Sequence, residues 1–286
     1  GRWISAEEDA RLRGPRGWEV VTEHYRVQTN HSLEEGVRLA ARLERLYDVW
    51  RQVFVRYYLT DLELGKLLTG VGLPPRAMPR HNVMYFRNRA QYNQALKFKQ
   101  PNIAITTGYY AGNIKIAYFF AGEEQDDSNL YHEATHQLFS ETRNVVQNIG
   151  RDANFWVIEG IACYMESLVE GESYCTLGGA DAIRLENAYS RLVKDSFYVP
   201  LSELTAMGMN ALQRDTRISP LYSESSGLTY YLMYADRGRY RDALVDYLVA
   251  VYTGRAGPDT LAELTQTPYA QFDQQYRQFV GSLTVE

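Results

Sequence analysis

The hydrophobic pattern of this 286-residue chain changes near Gly122, and that change constrains the fold more than any other feature. Before Gly122, β-branched and aromatic runs predict strands, and apolar residues at helical spacing predict a helix of about 25 residues, capped by Asn30 or Ser32. A short helix is also predicted around residues 90–96. After it, nearly every segment has helical spacing. The predicted strands cover 18–28, 81–87, 103–110 and 114–120. The later predicted helices cover 130–141, 182–194, 221–236, 239–252 and 269–282, and a further one starts at Asp152 or Asn154 and runs through Glu166.

The order of these segments predicts an α+β fold in which a sheet with packed helices precedes a mainly helical part. We expect an N-terminal α+β lobe over residues 1–125, which contains the hairpin of 103–120. A helical lobe is expected over residues 126–286. Together they are expected to form one unit with a cleft.

Charge and hydropathy exclude two broad classes. The net charge is -5 and the pI is about 5.7, which argues against a general nucleic-acid binder, because such a protein needs a basic surface. No apolar run reaches the roughly 18 residues of a membrane-spanning helix. The chain begins with Gly1 rather than Met, so a missing signal peptide does not identify its compartment.

Residues 130–139 read LYHEATHQLF and contain the pattern H-E-x-x-H. On a helix, His132 and His136 stand one turn apart on the same face, where both imidazoles can bind one tetrahedral Zn²⁺. Glu133 projects beside the first histidine and can hold a metal-bound water. The alternative is a surface helix with two polar histidines.

The helical context of the motif argues against the surface-helix alternative. Ser128 or Asp127 is expected to cap its start. An apolar face is expected from residues at four-residue spacing, which are Leu130, Ala134 and Leu138.

A second segment, 155–167, reads FWVIEGIACYMES and offers a third ligand. Glu159 lies 23 residues after His136 in the sequence, enough for a loop and a reversal of direction. Glu166 lies two turns beyond Glu159 and is placed to accept the free imidazole N–H of a ligand histidine. The alternative is that both are exposed helix glutamates, but carboxylates in so apolar a helix require partners.

These two motifs, H-E-x-x-H and then W-x-x-E-G-x-A-x-Y-x-E, resemble those of the gluzincin zinc metallopeptidases, and the second is similar to that of zinc aminopeptidases. The chain is also similar to bacterial peptidase-like families grouped with them. The resemblance implies a zincin-like fold with an N-terminal mixed sheet. It implies that His132, His136 and Glu159 bind Zn²⁺, that Glu133 is the general base and that Glu166 supports a ligand.

The resemblance extends to Tyr222, which takes the place of a tyrosine at a helix start that stabilises the oxyanion in aminopeptidases. A packing role is the alternative for Tyr222, and Tyr230 and Tyr231 are less favoured rivals. The strand at 108–111 would be the sheet edge beside the metal, where an extended peptide can pair, although an ordinary hairpin explains it equally. The G-x-M-E-N segment of aminopeptidases, which recognises a free amine, is missing.

The remaining histidines and the two cysteines carry no motif. Cys163 and Cys175 can pair in an oxidising compartment or remain buried thiols, and Cys163 can fill a small packing position or act as a fourth ligand. His24, His31 and His81 are expected to be structural. The 23 tyrosines suit a polymer-binding surface or the edges of a core.

We therefore expect a zinc-dependent hydrolase of peptide (amide) bonds that acts on a peptide or protein substrate. One alternative is a catalytically silent metal-binding module that recognises protein or glycan. Another is a zinc hydrolase of a non-peptide amide or ester. The resemblance suggests an extracytoplasmic setting, periplasmic or secreted, and leaves the oligomeric state open.

Overall fold

The computed structural model describes residues 17–73, 79–100, 102–122, 126–179 and 183–283. The fold is α+β, with a mixed sheet, as the sequence predicts. The strands are β1 (Trp18–Val21), β2 (Tyr25–Thr29), β3 (His81–Phe86), β4 (Tyr109–Ala111), β5 (Ile116–Phe120), β6 (Val169–Glu170) and β7 (Cys175–Thr176). The helices are α1 (Leu33–Val53), α2 (Val55–Tyr58), α3 (Asp61–Leu68), α4 (Arg89–Leu96), α5 (Asp127–Glu141), α6 (Phe155–Met165), α7 (Ile183–Val193), α8 (Leu201–Leu204), α9 (Met209–Arg214), α10 (Ile218–Gly238), α11 (Arg241–Tyr252), α12 (Thr260–Thr265) and α13 (Tyr269–Gly281).

Contacts divide the chain into two compact units. Unit 1 comprises Gly1–Val53 and Pro75–Thr142, and unit 2 comprises Phe54–Pro74 and Arg143–Glu286. This division differs from the expected boundary at residue 125, because α5 packs on β3, β4 and β5 of unit 1. Helix α2 belongs to unit 2, where Tyr57 packs edge-on against Tyr252 with their ring centroids 5.9 Å apart.

Unit 1 is built on a five-stranded sheet in the order β1-β2-β3-β5-β4. Strands β2, β3 and β5 run parallel, and β1 and β4 are antiparallel to their neighbours. The long strand predicted over 18–28 is wrong, since it folds as the hairpin of β1 and β2. The turn between them is closed by the Thr22 N–H, which donates to the Tyr25 carbonyl at 3.0 Å.

The hairpin predicted over 103–120 is confirmed, but its first strand is shorter. Ile103–Ile105 forms a turn of 3₁₀ helix, and β4 begins only at Tyr109. Ile103 anchors that turn in a core cluster with Tyr92 and Phe120. Ile103 is therefore buried within a helical turn and does not pair as part of a strand.

Helix α1 confirms the predicted cap at Ser32, whose hydroxyl accepts the Glu35 N–H at 3.2 Å. Its buried residues recur at helical spacing and face β1 and β2. The helix spans 21 residues.

Helix α5 begins three residues earlier than predicted, and its cap is Asp126 rather than Ser128 or Asp127. The Asp126 carboxylate accepts the Asn129 N–H at 3.1 Å and the Ser128 hydroxyl at 2.6 Å. Asp126 has an extended backbone, as an N-cap requires. Ser128 already lies within the first turn. The predicted apolar face of Leu130, Ala134 and Leu138 is buried.

Helix α6 is the buried centre of unit 2, and all eleven of its residues are buried. Asn154 precedes it in the left-handed conformation, with φ 60°, and its side chain does not cap the helix. Instead its Oδ1 accepts the Tyr247 hydroxyl at 2.6 Å, and that hydroxyl accepts the Trp156 Nε1–H at 3.2 Å. The side chain of Asn154 therefore fixes the start of α6 through tertiary hydrogen bonds.

Helices α6 and α10 approach closely at Gly160. A Cβ atom there would lie 2.6 Å from the Ser225 carbonyl oxygen and 2.5 Å from the Thr229 Oγ1. The carbonyl belongs to helix backbone and cannot move aside cheaply. Glycine at the position after Glu159 is therefore required for this packing.

The substitution Gly160→Ala is expected to lower the free energy of unfolding by about 1–3 kcal/mol, because it overpacks a helix contact. Gly65→Ala is the matched control, since a Cβ at Gly65 meets nothing within 4 Å. That variant should be unchanged or up to about 1 kcal/mol more stable. Urea unfolding of both variants measures the difference, and equal stabilities would contradict this packing.

Helix α10 starts at Ile218, earlier than predicted, and kinks at Ala235–Arg237, where Asp236 and Arg237 have positive φ. The helices predicted near 182–194, 239–252 and 269–282 are confirmed as α7, α11 and α13. The short helices α2, α3, α8, α9 and α12 and the hairpin of β6 and β7 were not predicted. Within the described ranges, every helix is too short or too polar to cross a bilayer.

Glu224 of α10 is a buried carboxyl whose pKa is raised by burial from 4.5 to about 8. The Val199 N–H donates to both of its oxygens, at 3.1 and 3.2 Å, which opposes that shift without cancelling it. Between pH 4.5 and 8 the folded chain keeps a proton that the unfolded chain releases. Stability must therefore fall as the pH rises through this window.

The substitution Glu224→Gln should remove that component of the pH dependence. Between pH 5 and 8 we expect the free energy of unfolding to fall more steeply with pH in the wild type than in the variant. The two slopes should differ by up to about 1.4 kcal/mol per pH unit. Urea unfolding at several pH values measures both slopes, with Glu186→Gln on the exposed face of α7 as the control. Parallel curves for wild type and Glu224→Gln would contradict the assignment.

Candidate metal centre

Helix α5 holds the two histidines of the H-E-x-x-H motif in unit 1. The Nε2 atoms of His132 and His136 lie 3.1 Å apart, and their rings are nearly perpendicular, with centroids separated by 4.8 Å. Two nitrogens that bind a tetrahedral zinc at about 2.0–2.1 Å stand roughly 3.3 Å apart. The spacing of these two atoms therefore fits a shared cation, and both rings are half-buried rather than exposed.

Glu133 lies against the edge strand of the sheet. Its Oε2 accepts the Tyr110 backbone N–H at 2.8 Å. Its Cγ occupies the space that a side chain at residue 108 would need. A Cβ added to Gly108 would lie only 2.9 Å from this Cγ. The carboxylate next to the first histidine is therefore held by strand β4 and by the residue before it.

The edge strand has a partner here that the sequence did not predict. The sequence left two interpretations of this strand open, an edge that pairs with an extended peptide and an ordinary hairpin. Since N–H groups alternate between the two sides of a strand, the Tyr110 N–H that meets Glu133 points away from β5. That donor is engaged within unit 1.

A polar stripe runs along α5 at four-residue spacing, and sequence reasoning missed all of it except Glu133. Each member is hydrogen-bonded within unit 1. Asn129 Oδ1 accepts the Thr107 hydroxyl at 2.7 Å. The Gln137 side-chain amide donates to the Asn82 carbonyl and to Glu141, at 3.1 and 3.0 Å. The regular spacing of Asn129, Glu133, Gln137 and Glu141 was the signal available in the sequence.

Glu141 is the last residue of this stripe, and its side chain forms a buried pair with His81. His81 Nδ1 lies 2.8 Å from the Glu141 Oε2, with both side chains at most 5% exposed. Since a carboxylate only accepts, the Nδ1 carries the hydrogen. The Tyr110 hydroxyl donates to the Glu141 Oε1 at 3.1 Å. His81 was expected to be structural, and the pair anchors the C-terminal end of α5 to the sheet.

Burial and the nearby carboxylates raise the pKa values of two tyrosines on β4. Burial, and then the charge of Glu133, raise the pKa of Tyr109. Burial, and then the charge and hydrogen bond of Glu141, raise the pKa of Tyr110. Both phenols remain protonated at neutral pH, so Tyr110 is a hydrogen-bond donor to Glu141.

In unit 2 the two glutamates of the second motif are not exposed helix glutamates. Glu159 is 7% exposed within α6. The Glu166 side chain is 10% exposed and binds Arg184 in a two-point ion pair, with Nε–Oε2 at 2.7 Å and Nη2–Oε1 at 3.1 Å. The predicted role of Glu166 towards a ligand histidine stays a prediction, and Arg184 is a partner that the sequence did not suggest.

Tyr222 lies in the second turn of α10 and is half-buried, so the predicted placement at the start of a helix is wrong. The rival Tyr231 is 4% exposed and donates to the Gln275 side chain at 3.2 Å. Tyr230 packs against Tyr234 with the two rings tilted by 44° and their centroids 4.7 Å apart. Both alternative tyrosines, Tyr230 and Tyr231, therefore have contacts within unit 2.

No disulfide joins Cys163 and Cys175. Cys163 is buried in α6 with 1% exposure, and Cys175 is half-buried in β7. Of the two interpretations of the cysteines, a disulfide or two separate thiols, the structure agrees with separate thiols.

The predicted site residues are thus divided between the units. Unit 1 contains His132, Glu133 and His136, and unit 2 contains Glu159, Glu166 and Tyr222.

Residues 126–254 match a family described as a protein of unknown function, DUF1570. The match covers less than half of the chain and includes both motifs and Tyr222. No curated protein matches the chain.

Proposed function

We propose that this chain is a zinc-dependent hydrolase of peptide bonds, with a gluzincin-like site and a zincin-like fold. The observation that supports it most is the pair of imidazole nitrogens 3.1 Å apart, from histidines one helical turn apart on α5, adjacent to a carboxylate that the sheet edge holds. Two half-buried imidazoles and a carboxylate form a donor set suited to Zn²⁺. The second motif supplies the third ligand.

In this proposal His132, His136 and Glu159 bind the ion. Zinc at such a site supplies a water of lowered pKa and polarises a carbonyl. Glu133 accepts a proton from the attacking water and passes it to the leaving amine, which contributes roughly 10²–10⁴-fold.

Two further residues of unit 2 are assigned roles from the resemblance. Tyr222 donates a hydrogen bond to the oxyanion, a charge that develops only in the transition state. Glu166 supports a ligand histidine. Burial of Glu159 and Glu166 is consistent with these assignments, because carboxylates so buried need cations or donors.

A catalytically silent metal-binding module remains the second candidate. The observation in its favour is the hydrogen bond from the Tyr110 N–H to Glu133. This hydrogen bond uses one carboxylate oxygen of Glu133, the proposed base. It also uses the Tyr110 N–H, the donor on the outer edge of β4 that an extended peptide would meet. The missing amine-recognition segment of aminopeptidases points the same way.

Cleavage of casein and of a mixed peptide library separates the two candidates. The hydrolase should cleave at least one library peptide with zinc present, lose that activity with a chelator and regain it when zinc is restored. Zinc binding without cleavage of any substrate would favour the silent module. A protein that neither cleaves nor binds zinc would overturn both.

A further inference from the structure

We propose that Gly108 and Tyr110 are positioning residues that hold the Glu133 carboxylate at the metal-binding helix. This inference rests on the proposed function for its catalytic consequence. The contacts themselves lie wholly within unit 1. Neither residue belongs to the two sequence motifs.

Gly108 leaves room for the Glu133 side chain because it has no side chain of its own. It is buried, and a Cβ there would lie 2.9 Å from the Glu133 Cγ and 3.3 Å from the Phe119 ring. Phe119 is 1% exposed in β5 and has little room to move. A side chain at residue 108 must therefore displace Glu133.

Tyr110 binds α5 at two points. Its N–H donates to the Glu133 Oε2 at 2.8 Å, and its hydroxyl donates to the Glu141 Oε1 at 3.1 Å. Hydrogen bonds to a carboxylate are about twice as strong as neutral ones. One strand residue thus contacts two carboxylates that stand two helical turns apart.

The strand segment is also tied to the first turns of α5. The Thr107 hydroxyl donates to Asn129 Oδ1 at 2.7 Å. From Asn129 to Glu141 the helix rises roughly 18 Å, so the attachments span most of its length. Glu133 lies between these attachments. Misplacement of a reacting group by about 1 Å can cost 10²-fold in rate.

Gly108→Ala and Gly112→Ala form a matched pair of test variants. A Cβ at Gly112 meets only the Tyr110 ring, at an ordinary 3.5 Å. We expect Gly108→Ala to lower kcat about 10–100-fold, with KM and zinc content unchanged. Gly112→Ala should match the wild type. Equal kcat for the two variants would overturn the inference.

A second measurement does not depend on activity or on the folding of Gly108→Ala. In protein labelled with ¹⁵N-tyrosine, amide exchange of Tyr110 should accelerate about tenfold or more in Glu133→Ala, because its acceptor is gone. The Tyr109 amide is the control, because N–H groups alternate between the two sides of a strand and that of Tyr109 faces its partner Tyr118 on β5. An unchanged Tyr110 rate, or equal acceleration of both amides, would overturn the inference. A wild type that cleaves nothing refutes the proposed function instead, and the Tyr110 exchange rate still decides the contact.

Discussion

Replacing Glu133 with glutamine should lower kcat for peptide hydrolysis about 10²–10⁴-fold while zinc stays bound. Glutamine has nearly the same shape, and its amide oxygen can still accept the Tyr110 N–H that now binds Oε2. The side chain therefore keeps its place against β4 but can no longer take a proton from water. The fall in rate isolates proton transfer from metal binding.

Steady-state kinetics and elemental analysis of the same preparations measure this effect. Glu186→Gln is the control, because Glu186 is an exposed helix glutamate on α7. Its kcat should equal that of the wild type. A Glu133→Gln enzyme with full turnover and bound zinc would remove Glu133 from the mechanism.

Removing a ligand should have a larger effect, namely loss of the metal and of all measurable hydrolysis. In His136→Ala and in Glu159→Ala only two of the three proposed protein ligands remain. A ligand that binds only the folded state stabilises it, by about 2.7 kcal/mol when its concentration is 100 times Kd. Zinc should therefore raise the Tm of the wild type and leave the Tm of both variants unchanged.

Thermal unfolding with and without zinc, combined with metal analysis, measures that difference. His31→Ala is the control, since it removes an imidazole outside the motif helix and should keep the zinc-dependent rise in Tm. A Glu159→Ala protein that binds zinc as tightly as the wild type would exclude Glu159 as a ligand.

The long elements were predictable because their apolar residues repeat along the chain. Helices α1, α5 and α6 each carry that pattern over several turns, and their predicted bounds are close to those observed. The hairpin within 18–28 was missed because its turn contains neither glycine nor proline. Helices as short as α8, with four residues, have too few positions to show a period.

The site was predictable to the extent that its residues lie close in sequence. His132, Glu133 and His136 occupy two turns of one helix, so their spacing alone placed them together. The partners of that helix come from far along the chain. His81 lies 60 residues before Glu141, and nothing near His81 in the sequence indicates that pairing.

The requirement for glycine at residue 108 was equally hidden. It arises from the approach of the Glu133 side chain across the sheet edge, and the sequence around Gly108 shows only a hairpin. The four-residue spacing of Asn129, Glu133, Gln137 and Glu141 was visible, and it would have predicted a polar contact along α5. Regular polar spacing on a helix that also has a buried apolar face indicates a second packed surface.

Crystals of zinc-loaded protein, measured at the zinc absorption edge, would test the central claim most directly. The account predicts a single anomalous peak bonded at about 2.0–2.2 Å to the Nε2 atoms of His132 and His136 and to a carboxylate oxygen of Glu159. A peak that lacks the carboxylate of residue 159, or no peak at the histidine pair, would contradict it.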